Sequence, residues 1–416
     1  MQIRTDNRQT AKNIIVTILA FVAQFSISFV VSPIIVSNVG VTAYGFVGIA
    51  NDIVSYGTLI TAVFNSVAAR FIAKAFYEKK YEEANGYYNS LIVVNFYIAL
   101  FVGIIGAILV PNLARLISIP EELIVDVQIT FALIFGTYII TILSLAYTTA
   151  TFVTNRSDLA GMRNFASQLV RLLLLVVFII FIDIKIYWVA VASMAGEITL
   201  TCMNVGLTKK LTPELKIDLR KASKEYAYIL ASSGIWMSVG HISNLLNRGL
   251  NLLIANQNIG SREMGLLSIA QVIPGQVINI VGTVGTVFTP VLISYYFNKT
   301  KSELLDKIKS SINTMVCLFA VPIIGYIIYS YDFIKLWQNS LSHSEVATIA
   351  LLSSIFIAQS FFDATAYTLG QLSVVTNKLK IPMCFNALTG VVNIALIFVL
   401  IKFTDLGVFA IPISNT

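Results

Sequence analysis

The sequence predicts an all-α polytopic membrane protein with a twelve-helix, two-lobe transporter fold, built as a 6+6 parallel repeat. Three observations lead there. The 416-residue chain is 57% hydrophobic and only 12% charged, about half the charge of an ordinary soluble domain. Apolar stretches of about 18 residues or more recur between short polar loops, each long enough to cross a bilayer as a helix. Finally, "NVGVTAYGFVGIAN" at 38–51 returns as "NIGSREMGLLSIAQ" at 258–271, offset by 220 residues without a gap. Hydrocarbon offers backbone amides no partners but each other, which selects helices. The short alternating strands of a membrane barrel are not seen in the sequence.

In chain order the expected spans are 13–36, 44–69, 88–110, 127–150, 166–184, 186–207, 228–256, 264–294, 311–331, 346–370 and 381–402. A twelfth begins near Leu406 and is expected to be truncated at Thr416. The first apolar stretch follows Arg4, Arg8 and Lys12, is longer than a signal-peptide core and lacks an Ala-x-Ala exit, so it reads as a retained helix. With the N-terminus inside, Arg115, Lys185, Arg262, Lys335 and Lys402 fall outside and Arg248 within a span, which leaves 22 of the 28 Lys and Arg on the cytoplasmic side. That asymmetry is the positive-inside pattern. It explains the net charge of +7 better than a nucleic-acid surface would, since no single face collects the charge. Cys202, Cys317 and Cys384 are isolated, odd in number and without metal spacing, and read as buried structural thiols.

The 220-residue echo continues: "FIAKAFYEKKYEEANGYYNSL" at 71–91 lies over "VLISYYFNKTKSELLDKIKSS" at 291–311. Six spans separate the copies, an even number, so the halves share one orientation. The expected domains are an N-terminal lobe over 1–207, a basic cytoplasmic linker over 208–227 and a C-terminal lobe over 228–416. Twin bundles with a cavity between them describe a transporter more than an enzyme.

Span seven carries most of the chemistry. His241, Asn244, Asn247, Arg248 and Asn251 recur at helical spacing and are expected to form one polar stripe. An Arg at mid-membrane costs about 2.5–3.5 kcal/mol on insertion scales. It therefore needs a carboxylate, a water-filled cavity or an anionic ligand. As a ligand anchor, its planar fork suits a diphosphate. The other reading is a salt bridge to Asp52, Glu197 or Asp363. Those three carboxylates lie in spans two, six and ten, each on a polar side, and are candidates for ion coupling or for charge balance. Arg171 either snorkels from span five or joins the cavity. Gln24 with Ser26, Ser28 and Ser32 on span one, and Gln276, Asn279, Thr283 and Thr286 on span eight, mark a wet lumen or helix contacts. Pro274, Pro290 and Pro322 are expected to bend spans eight and nine. Arg70, Lys74, Lys79 and Lys80 form a basic edge that the inside bias explains. No catalytic triad, Walker loop, zinc motif or phosphate-binding glycine loop is present, so no enzyme activity, metal or cofactor is expected.

"NVGVTAYGFVGIA", "NRGLNLLIANQNIGSREMGLLSIAQVIP", "TPVLISYYF" and "LGVFAIP" resemble the Wzx-type flippases of the multidrug/oligosaccharidyl-lipid/polysaccharide exporter superfamily, over essentially the whole chain. Where related sequences usually read Asp-Arg, this chain has Asn247 before Arg248. The resemblance implies translocation of undecaprenyl-diphosphate-linked oligosaccharide repeat units across a bacterial cytoplasmic membrane, with membrane lipids and polysaccharide-assembly proteins as partners and no nucleic acid. Two rivals remain: a cation- or proton-coupled multidrug exporter of the same superfamily, and a membrane-embedded polysaccharide polymerase or acyltransferase.

Overall fold

The computed structural model describes residues 25–27, 29–181, 185–376 and 380–415. Residues 13–24 of the first expected span, Gln24 among them, lie outside the described residues, as do Ser28 and Thr416. The described residues form helices and connecting turns with no strand. They are α1 (Val41–Tyr56), α2 (Thr58–Tyr77), α3 (Tyr81–Leu109), α4 (Ile124–Ser144), α5 (Ser157–Phe181), α6 (Tyr187–Leu211), α7 (Lys224–Asn244) and α8 (Asn251–Asn258). Then come α9 (Ser261–Ala270), α10 (Val272–Val287), α11 (Thr289–Asn298), α12 (Lys301–Trp337), α13 (His343–Ala358), α14 (Ser360–Val375), α15 (Lys380–Phe403) and α16 (Ala410–Asn415).

Among the described residues nine helical segments are long and apolar enough to cross a membrane. They correspond to the expected spans two to six and eight to eleven. Several expected rods are broken. Span two divides at Gly57 into α1 and α2, and a Cβ there would lie 2.5 Å from the Tyr138 ring. Span eight becomes α9, α10 and α11, with Pro274 and Pro290 in the first turns of the second and third pieces. A first turn tolerates proline because its N–H groups have no intrahelical acceptor. Pro322 lies inside α12, which runs on without a break. Span ten divides after Ala358, so Asp363 falls in the first turn of α14. Span seven is interrupted by a π-turn at Leu245–Gly249. Cys202, Cys317 and Cys384, expected to be buried, are all exposed on their helices. A thiol is a small, weakly polar group, so an outward position on a membrane helix costs it little.

Helix starts repeat as the sequence does. α1 and α9 begin at Val41 and Ser261, and α3 and α12 at Tyr81 and Lys301, both pairs 220 residues apart. Capping boxes fix two of the later starts, Thr300 with Glu303 and Ser342 with Glu345. The repeated stretches also pack on each other. A Cβ on Gly45 would meet the Cα of Gly265, its own counterpart in the repeat, at 2.8 Å. A Cβ on Gly48 would lie 2.7 Å from the hydroxyl of Ser268, again its counterpart. Glycine removes the side chain at the crossing, so two helices in lipid gain dispersion contacts along their backbones.

By packing, the described chain divides into two compact units. The first holds 25–31 and 49–241, the second 32–48 and 242–415. In the first, Val67, Ile72, Tyr88, Leu91 and Leu230 form a continuous core, with Tyr226 packed against Tyr87. In the second, Val281, Met315, Phe319, Ile323, Ile357 and Ala364 do so. Segment 212–223, expected as a linker, lies along α3 of the first unit and is hydrogen-bonded to it through Asn85, Asn89 and Ser90.

Candidate functional site

The π-turn decides how the polar residues of span seven are displayed. One extra residue in a turn rotates everything after it by about 100° relative to a regular helix. The single stripe expected from His241 to Asn251 is therefore split. Asn247 turns to α15: its Nδ2 donates to the Ser243 carbonyl at 2.8 Å and the Asn386 carbonyl at 3.2 Å, and its own carbonyl accepts from Asn393 Nδ2. The approach is close because Gly390 leaves space, and a Cβ there would sit 2.6 Å from Leu246 Cβ. Asn393 continues the chain of amides to Asn415 Oδ1.

Arg248 faces α14. Its Nη2 donates to Asp363 Oδ2 at 2.8 Å, with 33% of the Arg side chain and 18% of the Asp side chain exposed. Asp363 is placed by the break after Ala358, where free N–H groups at a helix start favour a carboxylate. Of the three carboxylates offered as partners for Arg248, the structure brings this one to it. That carboxylate comes from another helix, 115 residues further along the chain. Tyr367 lies one turn beyond Asp363 on α14. Asn251 is 2% exposed, and its Nδ2 has no hydrogen-bond partner among the described residues. His241 and Asn244 are exposed.

The other predicted residues belong to the first unit. Glu197 Oε1 and the Thr201 hydroxyl one turn later are buried without a hydrogen-bond partner among the described residues. One turn earlier, the Ser193 hydroxyl donates to the Val189 carbonyl of the same helix. Arg171 packs beside Gly196, whose carbonyl accepts from Ser167 Oγ at 2.8 Å. Asp52 is half-buried, and its backbone carbonyl accepts from Ser55 Oγ.

Three features escaped the sequence reading. Asn386 and Asn393 hold Asn247. Asn65 and Asn95 exchange two amide hydrogen bonds, at 2.9 and 3.2 Å. Arg163, counted only as an inside cation, is 6% exposed, with Nε and Nη1 unpartnered among the described residues. Its spacing from Ser167 and Arg171, four residues each, was a readable sign of one α5 face.

Residues 10–296 match the family described as Polysaccharide biosynthesis protein. The chain belongs to that family. Over 411 residues this polysaccharide biosynthesis family member is 25% identical to EpsK, an uncharacterized membrane protein of Bacillus subtilis (strain 168), covering 97% of this chain and 79% of EpsK. Its fold is that of an inward-facing multidrug resistance MATE transporter of the MOP superfamily, at TM-score 0.71 and 12% identity over 96% of this chain and 90% of the other. It is equally that of the lipid II flippase MurJ in an inward closed conformation, at TM-score 0.70 and 12% identity over 99% and 85%.

Proposed function

We propose that this protein carries undecaprenyl-diphosphate-linked oligosaccharide repeat units across the cytoplasmic membrane of a bacterium, for surface polysaccharide synthesis. Its lobes, 1–207 and 228–416 joined by 208–227, alternate access to the two sides, and the N-terminus is cytoplasmic. The observation that carries this reading is the Arg248–Asp363 pair, an ion pair within a transporter fold, a third of whose cation is exposed. The bond recorded between them uses one Nη2, and a guanidinium has five N–H donors. A diphosphate competes for that fork with higher charge and parallel acceptors. When it binds, Asp363 is released and can take a proton or sodium, which makes the same pair an anchor and a coupling element. Asn251, with its buried free amide, and Asn244, His241 and Arg171 are proposed as further headgroup contacts. Asn247 is proposed to act through position, because its amide is engaged by α15. Polysaccharide-assembly proteins are the expected partners.

The rival is a cation- or proton-coupled drug exporter, which the in-span carboxylates Asp52, Glu197 and Asp363 would favour. One experiment separates them. In cells depleted of the wild type, lipid-linked oligosaccharide accumulates in the inner leaflet, and neither Arg248→Gln nor Arg248→Ala clears it. Wild-type surface polysaccharide with both variants rejects the anchor. Altered drug susceptibility with normal polysaccharide supports the rival.

A further inference from the structure

The first unit holds two charges of opposite sign with buried, unpartnered atoms. Arg163 on α5 is 6% exposed, and its Nε and Nη1 meet no hydrogen-bond partner among the described residues. On α6 the same holds for Glu197 Oε1, the Thr201 hydroxyl and Asn204 Oδ1, and Asn204 is 1% exposed. Buried polar atoms are almost always paired. The donors are therefore on one helix, and most of the acceptors that would satisfy them are on the next.

The packing brings the two sets to the same level. α5 ends at Phe181 and α6 begins at Tyr187, so the two helices run antiparallel. They cross where Ser167 Oγ donates to the Gly196 carbonyl at 2.8 Å. A Cβ on Gly196 would lie 3.0 Å from the Ser167 carbonyl oxygen, so the backbones are close. Arg163 is one turn before Ser167, and position 200 is one turn after Gly196. Arg163 and Glu197 thus differ by about 4.5 Å in height, at 1.5 Å per residue. Across a helix pair about 8 Å apart, a Glu and an Arg side chain span that gap directly or through one water. Glu197, Thr201 and Asn204 follow at i, i+4 and i+7 on one face of α6. Thr208 continues that face and donates to the Tyr147 carbonyl just after α4. The face therefore runs where α4, α5 and α6 meet.

The other charged and titratable groups of these helices are placed elsewhere or engaged. Asp158 is held by Arg156, and Asp126 by Lys185. Tyr138 lies against Gly57, and Tyr147 packs on Tyr88. Arg171, beside Gly196, is the second cation on the α5 face. Three oxygens in a row would also suit a metal cation, but a guanidinium at their level is a fixed positive charge. The proton is the ligand that fits, because it changes the charge of Glu197 and leaves Arg163 as it is.

We propose that Arg163 and Glu197 form a buried proton-binding pair in the first unit, with Thr201 and Asn204 holding the water that bridges them. Ionised Glu197 neutralises Arg163. Protonation leaves a buried cation without a counter-charge, which is costly. Arg163 lies six residues into α5, so its long side chain can then swing towards the start of that helix and water. The pair involves one unit alone and does not depend on Arg248 or on what is transported.

The test is a double-mutant cycle in thermal melts of the full-length protein in phosphatidylcholine nanodiscs. Arg163→Gln is expected to lower the melting temperature by about 3 °C more at about pH 8 than at about pH 5, since the attraction exists only while Glu197 is ionised. In the Glu197→Gln background that pH dependence is expected to vanish. A pH dependence that persists there overturns the proposal, as does an Arg163→Gln effect equal at both pH values. So does a coupling that appears with Arg171→Gln and not with Arg163→Gln. A second measurement needs no loss of the cation. On acidification the infrared C=O band of protonated carboxyls grows, and Glu197→Gln is expected to remove one component of it. Arg163→Lys is expected to shift that component, because the donor opposite the carboxyl changes. A band indifferent to Glu197→Gln rejects the proton site, and one indifferent to Arg163→Lys rejects the pairing.

Discussion

The α1–α9 crossing and the Arg248 region show what a duplicated membrane chain retains and what it gives up. At the crossing both copies keep the same solution. Gly45 meets Gly265, and Gly48 meets Ser268, its counterpart. Around Arg248 the copies have nothing in common: the counterpart of Arg248 would be Ser28, and that of Asp363 is Leu143. A close helix crossing in lipid depends on backbone approach, which only very small residues permit. A charged site depends on a partner that one copy can acquire without the other. The shared residues therefore hold the scaffold, and the unshared ones hold the chemistry.

The largest expected effect comes from breaking the shared part. Gly45→Ala places a methyl 2.8 Å from the Gly265 backbone, which cannot swing aside as a side chain can. Overpacking of this kind costs about 1–3 kcal/mol. Gly136 is the control, because a methyl added there would meet nothing within 4 Å. There the same substitution stabilises a helix interior by about 0.5–1 kcal/mol. Opposite signs in thermal melts of the purified protein support the crossing; equal losses remove it.

Next come the charges. Removing one partner leaves the other in a half-buried site, so Arg248→Gln and Asp363→Asn should each cost about 1–3 kcal/mol. The exchange Arg248→Asp with Asp363→Arg should recover much of that stability. It should not recover polysaccharide export, because the guanidinium then starts from the other helix. Export restored along with stability would mean that the pair serves packing alone.

Much of this was readable in the sequence, and the gaps have physical causes. Nine of the expected spans and the 220-residue register follow from hydropathy and repetition, which are one-dimensional properties. The breaks in spans two and ten were not readable, because a helix in lipid can lose one turn of hydrogen bonding when neighbours supply partners, whereas span eight breaks at Pro274 and Pro290, where a bend was expected. The π-turn was missed for a related reason. A regular period of 3.6 put His241, Asn244, Asn247, Arg248 and Asn251 on one stripe, and one inserted residue sends Asn247 to α15 and Arg248 to α14. The Arg248–Asp363 pairing was among the alternatives the residue types allowed; choosing it required the fold.

A smaller effect is expected at the strap. Asn85→Ala with Asn89→Ala removes four hydrogen bonds to 214–218. Each neutral bond contributes about 0.5–1.5 kcal/mol, and the freed main chain recovers most of it by meeting water at this edge. The global melting temperature should hardly move. Trypsin should then cleave at Lys216 and Arg220 much faster than in the parent protein. An unchanged cleavage rate would mean that Tyr226 and the Lys221–Glu82 ion pair hold the strap without the amides.

The smallest change in stability is expected at Asn251, and there the sign matters more than the size. Its Nδ2 is buried without a hydrogen-bond partner. An unpaired buried donor costs about 1–3 kcal/mol, and an apolar residue of similar shape removes that cost. Asn251→Leu is therefore expected to leave the melting temperature level or slightly raised. If the amide waits for a substrate headgroup, export falls while stability holds. If stability falls as well, a water molecule occupies that position, and the amide is part of the fold and not of the route.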